Sequence, residues 1–264
     1  MKTKLDIRRN TILNILAKVP ISSTQELAKS TGVSTETMRK DLDALAEEGL
    51  IIKMHGGVAI AAPNAAEISF DSRIKKNIVG KRKIAGKAIS LINENESLIL
   101  ESCTTNLELA RALLTRPELL STLSVITNSF SIVSLFEGGR LCQSLFFLGG
   151  QANAAEHCCQ GQQTVQMLTQ FHVSKAFISG AALSEQLILA GYNEHDIAFQ
   201  KNAIQAADQT ILMVDHKKFG TPAIYSVCSL DEIDYLVTDK ELSKSELEVL
   251  DGLQVTCLLA DGRN

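Results

Sequence analysis

Tryptophan is absent from this chain of 264 residues, and only three tyrosines are present. That poverty does not threaten a core, because 45% of the residues are hydrophobic. The length allows one small domain beside one of ordinary size. No apolar run approaches the roughly 20 residues that a bilayer-spanning helix needs. The chain begins charged and polar, without the apolar stretch of a signal peptide. These absences make a soluble cytoplasmic protein with no membrane partner the default expectation. The six cysteines, Cys103, Cys142, Cys158, Cys159, Cys228 and Cys257, form no CxxC pair, and no histidine cluster accompanies them. Reduced thiols are therefore expected rather than disulfides. Cys158-Cys159 beside His157 invites a metal or redox reading, but adjacent cysteines chelate poorly, so neither a metal nor another cofactor is expected. No internal repeat, low-complexity tract or clear pair of catalytic carboxylates stands out. Glu101 and Glu194 are the only acids worth testing as catalytic, and Asp215 reads as structural.

Charge is divided unevenly. Residues 1–87 carry 16 Lys+Arg and 9 Asp+Glu, a net +7, and the remainder carries −11, although the whole chain is −4. A basic head on an acidic body suits a DNA-binding domain joined to a regulatory one. The stretch Glu26–Gly57 gives that head its form. Ser23 and Glu26 have capping-box spacing, which starts a short helix near Thr24–Lys29. Gly32 can take the positive φ of a tight turn. Ser34 can cap the next helix, Ser34–Glu48, with Val33 and Met38 at hydrophobic-staple spacing. Met38, Leu42 and Leu45 share one face and should pack inward, leaving Glu36, Thr37, Arg39, Lys40 and Asp43 outside it. A preceding helix spans about Leu5–Ala17. After Gly49, Leu50–Met54 and Val58–Ala61 read as the strands of a wing around His55-Gly56-Gly57.

Two short helices around a glycine turn, the second displaying hydroxyls and cations, fit a major groove. Ser34, Thr35 and Thr37 can reach backbone or bases, Arg39 and Lys40 phosphates or guanine edges, and Lys53 and His55 a phosphate or the minor groove. The competing readings are an ordinary helical hairpin and, for His55, a plain turn residue. Val33-Ser34, Thr37-Met38-Arg39-Lys40-Asp41-Leu42, Leu45, Gly49-Leu50 and His55-Gly56-Gly57 together resemble the N-terminal signature of the DeoR family of bacterial transcriptional regulators. Met38 and Lys40 stand where that family usually has Ile and Arg.

Beyond a small-residue linker at Ala61–Ala66, the segment from Arg73 to Lys87 contains seven cations and no acid. It reads as a basic helix face in solvent, with contact to flanking phosphates as the alternative. From Ser97 onward, strands and helices alternate. Strands are expected at 97–100, 124–127, 144–148, 175–179, 209–214, 235–238 and 254–259, with helices between them, which implies a mostly parallel sheet covered on both faces. Ligands collect beyond the carboxyl ends of such strands. There lie Glu101-Ser102-Cys103-Thr104-Thr105, Thr127-Asn128-Ser129, Gly149-Gly150 and Asp215-His216-Lys217-Lys218. Hydroxyls at a helix start suit an anion such as phosphate, although each stretch alone is also an ordinary cap or turn.

The last three of these stretches, with Phe219-Gly220, are similar to the sensor-domain motifs of the same family. The resemblance implies an N-terminal winged helix-turn-helix domain (1–60), a linker (61–80) and a C-terminal mostly parallel α/β sensor domain (81–264) of the phosphosugar isomerase and CoA-transferase type. It also implies a repressor of a carbohydrate-utilisation operon that is not an enzyme. Its expected partners are duplex operator DNA, a small phosphorylated sugar effector, and further copies of itself as a dimer or tetramer. The effector would be held by Glu101, Ser102, Thr104, Thr105, Asn128, Gly149, Gly150 and Lys218, with Lys218 the only full positive charge. Two departures bear on that pocket. Glu101 and Cys103 replace the Asp and Gly of the family's first loop, and Ser179-Gly180-Ala181-Ala182 lacks the carboxylate of the family's Ala-Asp-Gly. An isomerase-like enzyme with an appended DNA-binding domain, or a regulator that no longer binds a ligand, are the alternatives.

Overall fold

The computed structural model describes residues 4–18, 21–47, 50–54, 57–60, 70–184, 186–221, 223 and 225–261. The chain divides into two compact units, with the boundary between residues 68 and 69.

The first unit contains α1 (Lys4–Lys18), β1 (Ile21–Ser22), α2 (Thr24–Thr31), α3 (Thr35–Glu47), β2 (Ile51–Met54) and β3 (Gly57–Ile60). Local chemistry sets its boundaries. The Ser23 hydroxyl accepts the Glu26 N–H at 3.2 Å and the Glu26 carboxylate accepts the Ser23 N–H at 2.8 Å, a complete capping box. Gly32 closes α2 in the left-handed region at φ 70°, where a Cβ would be strained. Ser34 accepts the Thr37 N–H at 3.2 Å and starts α3. Met38, Leu42 and Leu45 are buried against Ile12, Leu16 and Leu27, as their helical spacing requires. β2 and β3 form the wing, paired antiparallel from Ile51↔Ile60 to Met54↔Gly57, and β1 joins β3 on its other side.

One buried polar group escaped the sequence reading. Asp41 is only 4% exposed and lies on the inner side of α3. Arg8 of α1 grips both its oxygens, Nε at 2.5 Å and Nη2 at 3.2 Å, and Arg9 approaches to 4.0 Å. A bidentate guanidinium compensates the buried carboxylate and ties α1 to α3.

The second unit begins with α4 (Phe70–Lys75) and α5 (Ile78–Ala88). The expected linker over 61–80 is therefore shortened: Phe70 is fully buried in the core of this unit, so residues 70–80 belong to the body. Residues 61–69 lie outside the described set. There follow β4 (Ser97–Leu100), α6 (Thr104–Leu114), α7 (Pro117–Leu120), β5 (Ser124–Thr127), α8 (Phe130–Leu135), β6 (Ser144–Phe147), β7 (Gln151–Asn153), β8 (Cys158–Gln160), α9 (Gln162–Leu168), β9 (Val173–Ser179), β10 (Ala182–Leu183), β11 (Ile188–Gly191), α10 (Glu194–Gln205), β12 (Ala207–Met213), β13 (Tyr225–Ser229), β14 (Tyr235–Thr238), α11 (Lys244–Gly252) and β15 (Thr256–Leu259). Seven strands form one parallel sheet in the order β15-β14-β12-β9-β4-β5-β6, with an apolar cluster on each face. All seven occur where alternation placed them. The hairpin β7–β8 and the antiparallel β10-β11-β13 sheet were not expected from the sequence, because they lie outside the alternation of strands and helices that marks the parallel sheet.

Strand order reverses beside β4. From β4 the chain builds β5 and β6 on one side, then returns to place β9, β12, β14 and β15 on the other. The loops after β4 and β9 therefore leave the sheet in opposite senses, and a crevice opens between them.

Replacing Asp41 by Ala should destabilise the first unit by about 2–3 kcal/mol, because it leaves the Arg8 guanidinium without its partner beside the core. Denaturant titration followed by circular dichroism checks this, and an unchanged midpoint would remove the pair as the clamp between α1 and α3.

Candidate functional site

Two surfaces merit description, one on each unit. On the first, Ser34, Thr35, Arg39 and Lys40 are exposed and Thr37 is partly so. Ser34 and Thr35 lie at the start of α3, and Thr37, Arg39 and Lys40 lie away from its buried stripe. Lys40 lies 3.6 Å from Glu36 one turn earlier, an exposed pair of little energetic consequence. Lys53 on the wing is paired with Asp43, so its charge is shared rather than wholly available to a phosphate. His55 lies outside the described residues.

On the second unit, the crevice at the strand reversal gathers groups that the sequence scatters. Glu101 is 5% exposed and does not present itself to solvent. Its carboxyl accepts the Ser179 N–H at 2.9 Å and the Gln200 Nε2–H at 2.6 Å. Burial raises this carboxyl to about 8, the nearby Asp196 adds to the rise, and the two hydrogen bonds oppose it. Ser102 follows, its N–H donating to the Asn128 side-chain oxygen at 2.9 Å, and the Asn128 amide donates to the Cys159 carbonyl at 2.9 Å. Cys103 caps α6, its sulfur accepting the Asn106 N–H at 3.3 Å. Burial raises its thiol to about 12 and that of Cys158 to about 12, so both are poor nucleophiles. Thr104 and Thr105 are buried in the first turn of α6.

A narrow cleft opens here, lined by Ser102, Asn128, Glu156, Thr164, His195 and Asp196 among others. Gly149 and Gly150 do not line it. The Gly149 carbonyl accepts the Thr164 hydroxyl at 2.8 Å, and a Cβ on Gly150, at φ 148°, would stand 2.2 Å from that hydroxyl. The two glycines therefore seat Thr164, and the threonine meets the cleft.

The expectation of a single cation at Lys218 is corrected. Lys218 is half-buried, and Lys81 on α5 is 5% exposed, its ammonium donating to the Arg73 carbonyl at 2.5 Å. Burial lowers the pKa of both lysines. Asp215 opposes the shift in each, while Arg73 repels each. Lys81, Lys218 and Arg73 are thus within electrostatic reach of one another, with the Cys103 loop and the buried Asp215 between. Asp215 itself caps the turn after β12, accepting the Lys217 N–H at 3.0 Å. Arg73 also forms an ion pair with Glu156. The reading of 73–87 as a solvated basic face fails for Lys81, because it shares the buried stripe of α5 with Ile84, Ala85 and Ala88. That spacing was visible in the sequence but outweighed by the density of cations around it. Glu156, Thr164, His195 and Asp196 carried no sequence signal, since they reach the cleft from three separate elements: the turn after β7, α9 and α10. The surrounding protein, with Glu156 nearby, raises the Asp196 carboxyl to about 6.

An exposed helix of hydroxyls and cations on one unit, and a polar crevice with flanking lysines at a sheet reversal on the other, define a two-domain regulator built from a winged helix-turn-helix and an α/β sensor. The chain belongs to the DeoR family. Residues 8–64 match the model of the DeoR-like helix-turn-helix domain, and residues 76–240 that of the DeoR C-terminal sensor domain. It is 31% identical over 90% of its length to an uncharacterised HTH-type transcriptional regulator of Haemophilus influenzae, 91% of which is covered. It is 29% identical to the HTH-type transcriptional repressor GlcR of Bacillus subtilis, covering 95% of this chain and 94% of that one. With the glycerol-3-phosphate regulon repressor of Escherichia coli the figures are 26%, 92% and 94%. Among solved structures, ribose 5-phosphate isomerase A from Methanocaldococcus jannaschii aligns over 55% of each chain with 20% identity and a TM-score of 0.40. Among the described residues no helix is long and apolar enough to cross a membrane.

Glu101 sets a pH dependence whose sign follows from its raised value. Below about pH 4.5 it is neutral in both folded and unfolded chains. Between there and about 8 the unfolded chain ionises while the native one holds its proton, so stability falls as pH rises. Denaturation of the full chain across that window should show the loss, and Glu101→Gln should flatten it. A slope of equal size in the variant would assign the titration to another group.

Proposed function

We propose that this protein is a sequence-specific DNA-binding transcriptional regulator, a repressor of a carbohydrate-related operon, relieved by a small phosphorylated sugar. The observation that carries the reading is the pairing of an exposed α3 surface with a polar crevice flanked by Lys81, Lys218 and Arg73. In this reading α3 enters the major groove, with Arg39 and Lys40 at base edges and phosphates and Ser34, Thr35 and Thr37 beside them. Lys53 and His55 of the wing region approach the adjoining backbone. Two copies act together, since one such helix reads too few base pairs for useful selectivity. The names of the Bacillus and Escherichia relatives support a repressor, and the Escherichia name supports a phosphorylated effector.

The effector phosphate sits between the Ser102–Thr105 turn and the lysines, where the start of α6 supplies further donors. Ser102, Asn128 and Thr164 face the polyol, with Gly149 and Gly150 behind Thr164. Glu101 acts as a support for the loop. Binding relieves repression only if the ligand favours a conformation with weaker DNA affinity. The protein is not an enzyme in this reading. Both Glu101 oxygens are engaged by Ser179 and Gln200, and Glu194 accepts the Tyr225 hydroxyl at 2.6 Å, so neither acid is poised as a general base.

Duplexes selected from a random pool supply the DNA ligand. Arg39→Ala should weaken binding by about 1–3 kcal/mol and relax preference at one position, whereas Lys40→Ala should weaken all sequences alike. A double variant that folds and binds with unchanged affinity would exclude α3 as the reader.

Calorimetry against sugar phosphates and the matching free sugars tests the crevice. Lys81→Met and Lys218→Ala should each weaken a phosphorylated ligand by about tenfold or more, the scale of a lost charge-assisted hydrogen bond. Binding of unphosphorylated sugars alone would overturn the assignment.

A further inference from the structure

Between Leu141 and Ser174, Glu156 is the single Asp, Glu, Lys or Arg, in a chain of which 21% is charged. The fold gathers this stretch at one border of the large sheet. β6 is the terminal strand, and among the described residues no strand pairs with its outer edge. None of its four residues, Ser-Leu-Phe-Phe, is buried. Phe146 is 46% exposed and meets the ring of Phe171 edge-on at 5.2 Å, and Met167 on α9 is 38% exposed. On the other face Phe147 packs against Phe130 at 5.5 Å. Four of the nine phenylalanines thus flank one edge strand. The exposed polar residues around them include the amides Gln151, Gln162, Gln166 and Gln170, with Thr169 and His172 beside them, the latter paired with Asp208. Glu156 is already neutralised by Arg73.

Exposed edge strands are ordinarily protected by charge, proline or a bulge, and β6 has none of these. The opposite border differs: β15 lies beside Lys244, Glu248 and Asp251 of α11. Depletion of charge with enrichment in aromatic residues and methionine marks the centre of a protein interface. The scarcity of charge along this stretch also indicates which partner. Near a two-fold axis every residue faces its own counterpart, so any charge there repels itself. A foreign partner imposes no such restriction and usually exploits complementary charge. On a chain of net charge −4, a stretch that holds no charge between Leu141 and Ser174 except the paired Glu156, with Glu137 and Arg140 only ahead of its beginning, suits self-association.

We infer that the outer edge of β6, with Phe146, Phe171 and Met167, is the surface through which two copies of this chain associate, β6 pairing antiparallel with its symmetry mate to join the two sheets. The need for two copies on DNA rests on the proposed function. The location of the contact does not.

Sedimentation velocity of the full chain without DNA, from nanomolar to high micromolar concentration, provides the test. The native chain should self-associate. Phe146→Lys should raise its dissociation constant by at least about a hundredfold, since like charges then meet at the axis. Met167→Lys should act in the same direction and serves if the first variant misfolds by circular dichroism. An equimolar mixture of Phe146→Lys and Phe146→Glu should recover association, and Leu247→Lys on α11 should leave it unchanged. A native chain monomeric throughout, intact assembly in both lysine variants, or dissociation by Leu247→Lys would each overturn the inference. Because DNA is absent, failure here leaves the contacts of α3 standing, and failure to select a duplex leaves this interface standing.

Discussion

The Glu101 carboxyl accepts the Ser179 backbone N–H across the point where strand order reverses, and the Gln200 side chain holds both that carboxyl and the Ser179 carbonyl. Asn106 repeats the bridge one layer deeper, donating from one amide to the Glu101 and Phe177 carbonyls at 3.0 and 2.8 Å. Loops that diverge after β4 and β9 are thereby held at fixed separation. Without these bonds the crevice would be a gap of unsatisfied backbone groups. With them, the loop after β4 can present Ser102 on one wall.

The cost of that arrangement appears in protonation. A carboxyl this buried keeps its proton well above the usual acid range, and Asp196 and Cys158 nearby are displaced in the same sense. The crevice is therefore less acidic at neutral pH than its count of carboxylic acids suggests. Arg73 offsets Glu156, and Lys81 and Lys218 stand opposite Asp215. Anion affinity depends on this balance, and three of its members, Arg73, Lys81 and Glu156, lie outside the strand-end loops in sequence although the fold brings them beside those loops.

The same separation of tasks runs through the first unit. Among the described residues its buried side chains are apolar except for Ser22 and Asp41, and the Asp41 oxygens are taken by Arg8. Arg39 and Lys40 are adjacent to that buried acid in sequence yet point away from it, because successive helical residues are turned by about 100°. A single run of alternating character thus serves packing and solvent-facing chemistry at once.

Local rules determined what the sequence could show. The Ser23–Glu26 capping box, the Gly32 turn, the stripe Met38-Leu42-Leu45 and the alternation of seven strands act over a few residues, and each stands where its spacing placed it. The short antiparallel strands β10 and β13 were not legible, since β10 has only two residues and β13 pairs with a strand more than thirty residues earlier. The crevice was legible only along strand ends that announce themselves by hydroxyls and glycines. Tertiary structure alone decided that Gly150 seats Thr164 and that His195 and Asp196 arrive from α10. It alone turned Lys81 inward from a basic helix. It also assembled uncharged residues from β6 to α9 into one border. Those outcomes depend on which elements become neighbours, and adjacency in space is set by sheet order and core packing, which no short window of sequence contains.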